Sequence, residues 1–370
     1  MKNITHSTKG REKVDNRLLE LGFSERFIQE ASLYPGLSLG RVVSQYKDLY
    51  KVATAKSEEF AEISGKLRYS SDKPSDYPAV GDFVMTDRED DENGNAIIHY
   101  ILRRKSIFTR RAAGTSNEIQ VVAANIDIIF ICMSLNNDFN LRRLERYLSI
   151  AWNSGATPVV VLTKSDLCDT IDAILLKVTK IAIGADIVVT SSMVEDGYKV
   201  LLKYILPGVT VAFIGSSGVG KSTLINKLLG EERIETREIR EDDKGRHATT
   251  RRDLIVIPNA GAVIDTPGMR EIGVESVDIN KTFKDIDELT QLCRFKDCRH
   301  EKEPGCAVKE AIENGDFEKE RLVNYKKLKK EAKYEGLNSK EIEKEKIEEM
   351  YLSFDGIKNA REFVKSKNKR

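Results

Sequence analysis

A nucleotide-binding α/β unit between a small β-barrel and a mainly α-helical end is the fold this 370-residue sequence predicts. Three observations predict it. A glycine-rich phosphate-loop pattern, Gly-Ser-Ser-Gly-Val-Gly-Lys-Ser at 215–222, follows an apolar β-branched run and opens an amphipathic stretch. Strand-like pieces separated by polar turns fill residues 39–107. Cys293, Cys298, His300 and Cys306 cluster just ahead of a Lys/Glu-dense helical tail. The chain is long enough for roughly two to three domains. The expected division is a helical extension (1–38), an OB-fold barrel (39–115), a P-loop unit (116–275) and a metal-bearing helical unit (276–370).

Residues 1–38 hold a modest amphipathic stretch (14–31) and nothing resembling a signal sequence. In the next unit, 40–43, 50–53, 82–85 and 97–102 read as strands, and Asp-Asp-Glu-Asn-Gly-Asn at 90–95 signals a hairpin turn. Five short strands in that length fit an OB-fold. Lys66, Arg68, Arg103, Arg104, Lys105, Arg110 and Arg111 could meet phosphates from this unit, or form a solvated charged face.

The phosphate loop can be read from its residues alone. The run 209–214 suits a buried parallel strand. The turn formed by Gly215, Ser216, Ser217, Gly218, Val219 and Gly220 can gather successive backbone N–H groups around a phosphate. Lys221 then reaches the β- and γ-phosphates, and the Ser222 hydroxyl can ligate Mg²⁺. Thr223 continues into a helix whose N-terminus faces the same anion, and Gly230 ends it. Downstream, a β-run at 262–264 ends in Asp265-Thr-Pro-Gly268. A carboxylate at that strand tip can hold Mg²⁺, and the Gly268 N–H can approach a γ-phosphate. Between the two motifs lies Gly-Arg-His-Ala-Thr-Thr at 245–250, where Thr249 or Thr250 could supply a second hydroxyl to the metal.

Thr163-Lys164-Ser-Asp166 sits at the end of another predicted strand, 157–162. There an aspartate can accept from N1–H and N2–H₂ of guanine; adenine lacks that donor pair and would leave the carboxylate unpaired. Lys164 can lay its aliphatic stem along the base. Ser191 and Ser192, after a further strand at 187–189, suit backbone contact with guanine O6. These features favour GTP over ATP. Their order is unusual: the base-reading element precedes the phosphate loop, which indicates a circularly permuted GTPase. The permutation also puts 265–268 close upstream of Cys293, so that a change at the γ-phosphate could move the C-terminal unit.

Three thiols and one imidazole in the spacing C-x₄-C-x-H-x₅-C form a closed tetrahedral set, the usual composition of a structural zinc site. The other two of the five cysteines, Cys132 and Cys168, lie in or near apolar runs and read as core. The tail beyond about 316 reads as a soluble Lys/Glu surface. No run reaches membrane-spanning length, and a net charge of +1 does not announce an RNA binder.

Taken together, TKSD, TSS, GSSGVGKST, GRHATT, DTPG and CRFKDCRHEKEPGCAV in that order resemble the RsgA (YjeQ) family of ribosome small-subunit-dependent GTPases. The resemblance implies an OB-fold, a permuted GTPase domain and a C-terminal zinc domain. It implies GTP/GDP, Mg²⁺ and one structural Zn²⁺ as ligands, and the 30S subunit with its 16S rRNA as partner of a cytoplasmic, monomeric protein. It also implies subunit-stimulated GTP hydrolysis late in maturation. Met269 stands where other GTPases carry a catalytic glutamine, and His247 occupies the place of the histidine proposed to position water. Ala248 departs from the threonine common after that histidine.

Overall fold

The computed structural model describes residue 17 and residues 19–89, 94–111, 119–234, 252–265, 279–333 and 341–346. Thirteen strands are labelled in chain order. β1 is Ser38–Gln45, β2 Tyr50–Ala53, β3 Glu58–Ile63, β4 Phe83–Thr86 and β5 Ala96–Ile101. β6 (Ile107–Arg111) and β7 (Ile119–Ala124) pair as a separate ribbon. β8 is Ile128–Ser134, β9 Thr157–Thr163, β10 Asp186–Val189, β11 Thr210–Ile214, β12 Arg252–Val256 and β13 Ala262–Asp265.

The first five strands run in the order β1-β2-β3-β5-β4, and an additional β1–β4 pairing closes them into a barrel. Closure removes the sheet edges that would otherwise invite association. The β3–β5 pairing is parallel and the others are antiparallel, the OB-fold arrangement. β3 was not foreseen from the sequence. Along it Glu59 is buried while Phe60 is exposed, which breaks the usual apolar-in alternation at that pair.

The central sheet runs β10-β9-β8-β11-β13-β12. Its first four neighbouring pairs are parallel; β12 joins antiparallel. Both faces are covered, and the strands alternate between two cores. On β8, Ile129, Ile131 and Met133 face one cluster, while Phe130 and Cys132 face the other. Helices Leu141–Ser154 and Ile171–Ile181 make the crossovers from β8 to β9 and from β9 to β10.

β12 also pairs with β1, so barrel and central sheet share a continuous hydrogen-bonded ladder. The N-terminal extension, without an assigned role in sequence, locks this joint. Helix Glu25–Ala31 stacks Phe27 on Phe83 with ring centroids 3.8 Å apart. Gly81 is needed there: at φ 92° its Cβ would fall 2.1 Å from the Ala124 carbonyl oxygen. Two of the basic residues considered for phosphate contact turn to structural work in this region. Arg104 holds the fully buried Asp82 and the Ser75 and Tyr77 carbonyls, and Lys105 pairs with Asp127 at 2.5 Å.

Helices Ile279–Thr282, Lys284–Gln291, Ala307–Glu313 and Lys319–Lys333 enclose a separate core of Phe283, Ile286, Val308, Leu322, Tyr325 and Leu328. The last helix was expected to be soluble surface; one face of it, including Arg321 and Asn324, is instead buried. No helix among the described residues is long and apolar enough to cross a membrane.

Candidate functional site

Parallel strands present their carboxyl ends on one edge, and that is where the motif residues meet. β11 runs into the glycine turn, and helix Lys221–Leu229 starts directly after it. Gly215 sits where two strands crowd together, its would-be Cβ 2.4 Å from the Cys132 carbonyl oxygen. Gly218 and Gly220 both have positive φ, 76° and 96°, which turns the chain back on itself before the helix. Ser217 and Gly218 are exposed; Ser216, Ser222 and Thr223 are half-buried.

Lys221 is only 6% exposed, and its Nζ donates to the carbonyls of Gly215 at 2.7 Å and Ser216 at 2.6 Å. The ammonium is thereby fixed across its own loop instead of ranging through solvent, so less side-chain freedom remains to be lost when an anion binds. Behind the loop, burial pushes the Cys132 thiol up to about 12, against the opposing pull of Lys221. It is an inert core residue, as read from the sequence.

β9 lies on the far side of β8 from β11, and its end delivers Thr163, Lys164 and Asp166. Thr163 is buried, and its Oγ1 donates to the Val219 carbonyl inside the phosphate loop at 2.7 Å. The two motifs, far apart and inverted in sequence, are therefore fastened to each other. Lys164 takes a left-handed backbone (φ 56°), which bends the chain into the short 3₁₀ turn Ser165–Leu167. Asp166 is exposed, and its Oδ1 accepts from Ser191 Oγ. Ser191 Oγ in turn accepts from the Met193 N–H at 3.0 Å. The sequence assigned Ser191 a backbone contact with a base; here its hydroxyl also orients the aspartate. Ser192 sits beside it, half-buried.

Asp265 ends β13, the parallel neighbour of β11; the register Ala212↔Ile264 sets it level with Phe213. His247, Thr249, Thr250 and Gly268 lie outside the described residues. Sequence reading missed one contact at the loop: Arg143, at the start of helix Leu141–Ser154, donates to Ser216 Oγ and to Asp138. Only contact geometry reveals it, because an isolated arginine on a helix carries no motif.

In the C-terminal unit, the ligand atoms of Cys293, Cys298, His300 and Cys306 all lie within 4.8 Å of one another. Cys293 and Cys306 sulfurs are 3.9 Å apart, and His300 Nδ1 is 3.6 Å from Cys293 and 3.4 Å from Cys306. A tetrahedron with Zn–S bonds of about 2.3 Å has S–S edges of about 3.8 Å. The donor set therefore fits a closed, four-coordinate zinc. Burial, and then nearby Lys326, hold the His300 imidazole below its ordinary value, toward the neutral form that ligates metals.

Comparison with known proteins places this architecture. The RsgA GTPase family profile matches residues 101–275. A Lactiplantibacillus plantarum protein named small ribosomal subunit biogenesis GTPase RsgA 2 is 46% identical over 93% of this chain and 97% of its own length. A Methanosarcina acetivorans protein named small ribosomal subunit biogenesis GTPase RsgA is 41% identical over 93% of both chains. The crystal structure of YjeQ from Thermotoga maritima superposes with a TM-score of 0.59 at 28% identity, over 80% of this chain and 98% of that one. YloQ, described as a circularly permuted GTPase, shares the fold with a TM-score of 0.58 at 24% identity, over 81% of this chain and 96% of its own. With relatives this similar along nearly the whole sequence, the chain belongs to the RsgA family of GTPases.

Proposed function

We propose that this GTPase is a late maturation factor of the 30S ribosomal subunit that contacts 16S rRNA and turns over GTP faster when the subunit is bound. One observation supports the nucleotide half of this reading: Thr163 donates to the Val219 carbonyl, which holds the TKSD turn beside the phosphate loop. Relatives named small ribosomal subunit biogenesis GTPases support the partner.

In this reading Asp166, oriented by Ser191, accepts from guanine N1–H and N2–H₂. Lys164 flanks the base, with Ser191 and Ser192 near O6. The amides of 215–223 and the Lys221 ammonium gather the phosphates. Ser222, Asp265 and one of Thr249 and Thr250 would hold Mg²⁺, which supplies positive charge against the developing charge on the β- and γ-phosphates. Gly268 meets the γ-phosphate through its N–H, and His247 orients the attacking water. With Met269 in place of a glutamine, the free protein hydrolyses slowly, and subunit contact orders the switch residues. Cys293, Cys298, His300 and Cys306 hold a structural zinc with no open position for chemistry.

The test is GTP turnover by the purified protein with and without purified 30S subunits. A rise with 30S is expected; equal turnover in both would overturn the proposed partner.

A further inference from the structure

Arg143 lies against the phosphate loop and has no role in the chemistry above. It donates through Nη1 to Asp138 Oδ2 at 2.7 Å and through Nη2 to Asp138 Oδ1 at 3.1 Å, while Nη1 also donates to Ser216 Oγ. A carboxylate gripping both guanidinium nitrogens fixes the plane of the fork as well as its position. The support beneath is built too. Asn140 caps the helix by accepting from the Arg143 N–H at 3.1 Å, and Asn136 Oδ1 accepts from the Asp138 N–H at 3.1 Å and from Ser134 Oγ at 2.8 Å. Ser216, whose hydroxyl Arg143 holds, is the residue whose carbonyl oxygen accepts Lys221 Nζ at 2.6 Å. A chain of direct contacts thus runs Asp138, Arg143, Ser216, Lys221.

We propose that Arg143 is a positioning residue for GTP hydrolysis: braced by Asp138, it clamps Ser216 so that the loop carbonyls keep the Lys221 ammonium aimed at the β- and γ-phosphates. The inference rests on reading 215–222 as the phosphate loop. Two further observations fit it. The bond from Arg143 holds the Asp138 carboxyl below its usual range, which keeps it the anion the fork needs. Arg143 is 30% exposed at its side chain, so its contacts are not explained by a need to fill the core. Misplacement of a catalytic group by about 1 Å costs on the order of a hundredfold in rate. Binding draws on the Lys221 charge, the loop amides and the base contacts together, all of which an Arg143 variant leaves in place, and so should change less.

The test is steady-state GTP hydrolysis by the full chain carrying Arg143→Ala, Ser216→Ala or both. For Arg143→Ala, kcat is expected to fall about 10- to 100-fold and KM to rise less than about threefold. Ser216→Ala, which removes one oxygen atom from a half-buried loop residue, should give a similar loss. The double variant should be no worse than either single one, because both remove the same contact. Arg143→Lys should recover little, since an ammonium cannot hold Asp138 and Ser216 in one plane. Unchanged kcat in both single variants, or losses that multiply in the double, would overturn the proposal. Lys221→Ala separates the underlying reading. If that variant still binds GTP as before, the phosphate-loop reading fails and this inference with it. If it loses GTP while Arg143→Ala and Ser216→Ala turn over normally, only the clamp is wrong.

Discussion

The barrel joins the GTPase sheet and the C-terminal unit packs on helix Leu141–Ser154, and the two are attached by different chemistry. On the barrel side the attachment is main chain and apolar core. β1 pairs with β12 at Ser44↔Asp253 and Gln45↔Arg252, and one hydrophobic cluster runs from Phe27 and Phe83 through Ile129 to Ile264. At its centre lies Arg41, 1% exposed, donating to the Leu21 carbonyl at 2.6 Å, Thr210 Oγ1 at 2.8 Å and the Gly81 carbonyl at 3.3 Å, with Phe83 below its guanidinium. These acceptors are all neutral. Burial pulls the Arg41 pKa down to about 10 against Asp127 and Asp82, and it remains charged at neutral pH.

On the C-terminal side the attachment is a set of side chains. Helix Leu141–Ser154 turns Arg142, Glu145, Arg146 and Ser149 toward the C-terminal helices, a stripe at helical spacing. Glu145, wholly buried, accepts from Arg321 at 2.7 Å, Arg142 at 2.6 Å and Asn324 at 2.5 Å; Arg321 also pairs with Asp285. Ser149 Oγ donates to Thr282 Oγ1 at 2.9 Å. The C-terminal unit keeps its own core. To separate the barrel, ladder hydrogen bonds and core contacts must break; to separate the C-terminal unit, the buried Glu145–Arg321 pair and its polar neighbours must break. Motif order had suggested a tether through 265–268, most of which lies outside the described residues; the described contacts run through the same helix that carries Arg143.

The largest expected effect tests whether the C-terminal unit is an independent body. With zinc in the Cys/His set as proposed, its removal by a chelator, or Cys298→Ser, should unfold 279–333 in a separate transition while barrel and sheet stay folded. Structural zinc contributes on the order of 10 kcal/mol to such small units. Hydrogen exchange would read it, and uniform loss of protection across all units would break the comparison. Next comes Arg321→Met, which strips Glu145 of one cation. Removing one member of a buried pair costs about 3–5 kcal/mol. Proteolysis should then release the C-terminal unit first; a barrel released equally early would count against separate attachments. Arg41→Met should cost less, about 1–3 kcal/mol, since it leaves unpaired carbonyls and no orphaned charge. A urea melt resolves the two, and a larger loss for Arg41→Met would reverse the ranking.

The sequence made the chemistry legible and the joints illegible, for physical reasons. The phosphate loop, TKSD and the Cys/His set are compact because each ligand needs its donors at fixed local spacing. The barrel's β1, β2 and β4 are short β-branched or apolar pieces between polar turns and could be read as strands, whereas β3 buries a glutamate and shows a phenylalanine. Arg142, Glu145, Arg146 and Ser149 look like a solvent face, since polar residues at helical spacing usually are one. Their partners, Thr282, Glu318, Arg321 and Glu331, are far away in sequence, so nothing local marks them as a joint. For Arg104 and Lys105 the sequence leaves phosphate contact and a solvated face both open, and neither foretells the pairing with Asp82 and Asp127: a run of cations reports charge, not direction.

The smallest predicted effect sharpens the comparison most finely, because it separates the rim of the C-terminal joint from its centre. Arg146 and Glu331 pair at 3.0 Å with side chains 28% and 33% exposed, and Arg142 reaches Glu318 at 2.9 Å with the glutamate 56% exposed. Such pairs contribute about 0.2–1 kcal/mol each. Raising salt from about 0.1 M to about 1 M shortens the screening length from about 10 Å to about 3 Å and should remove most of that. The buried Glu145–Arg321 pair should be screened far less, and the neutral acceptors of Arg41 hardly at all. Measured by hydrogen exchange, helix Lys319–Lys333 should therefore loosen slightly in high salt, by about as much as Glu331→Gln loosens it in low salt. In the Glu331→Gln protein the salt effect should shrink, since the pair it screens is gone. Protection of β1 and β12 should not change. A barrel joint as salt-sensitive as the C-terminal one would mean that charge, and not the shared ladder and core, holds both units in place.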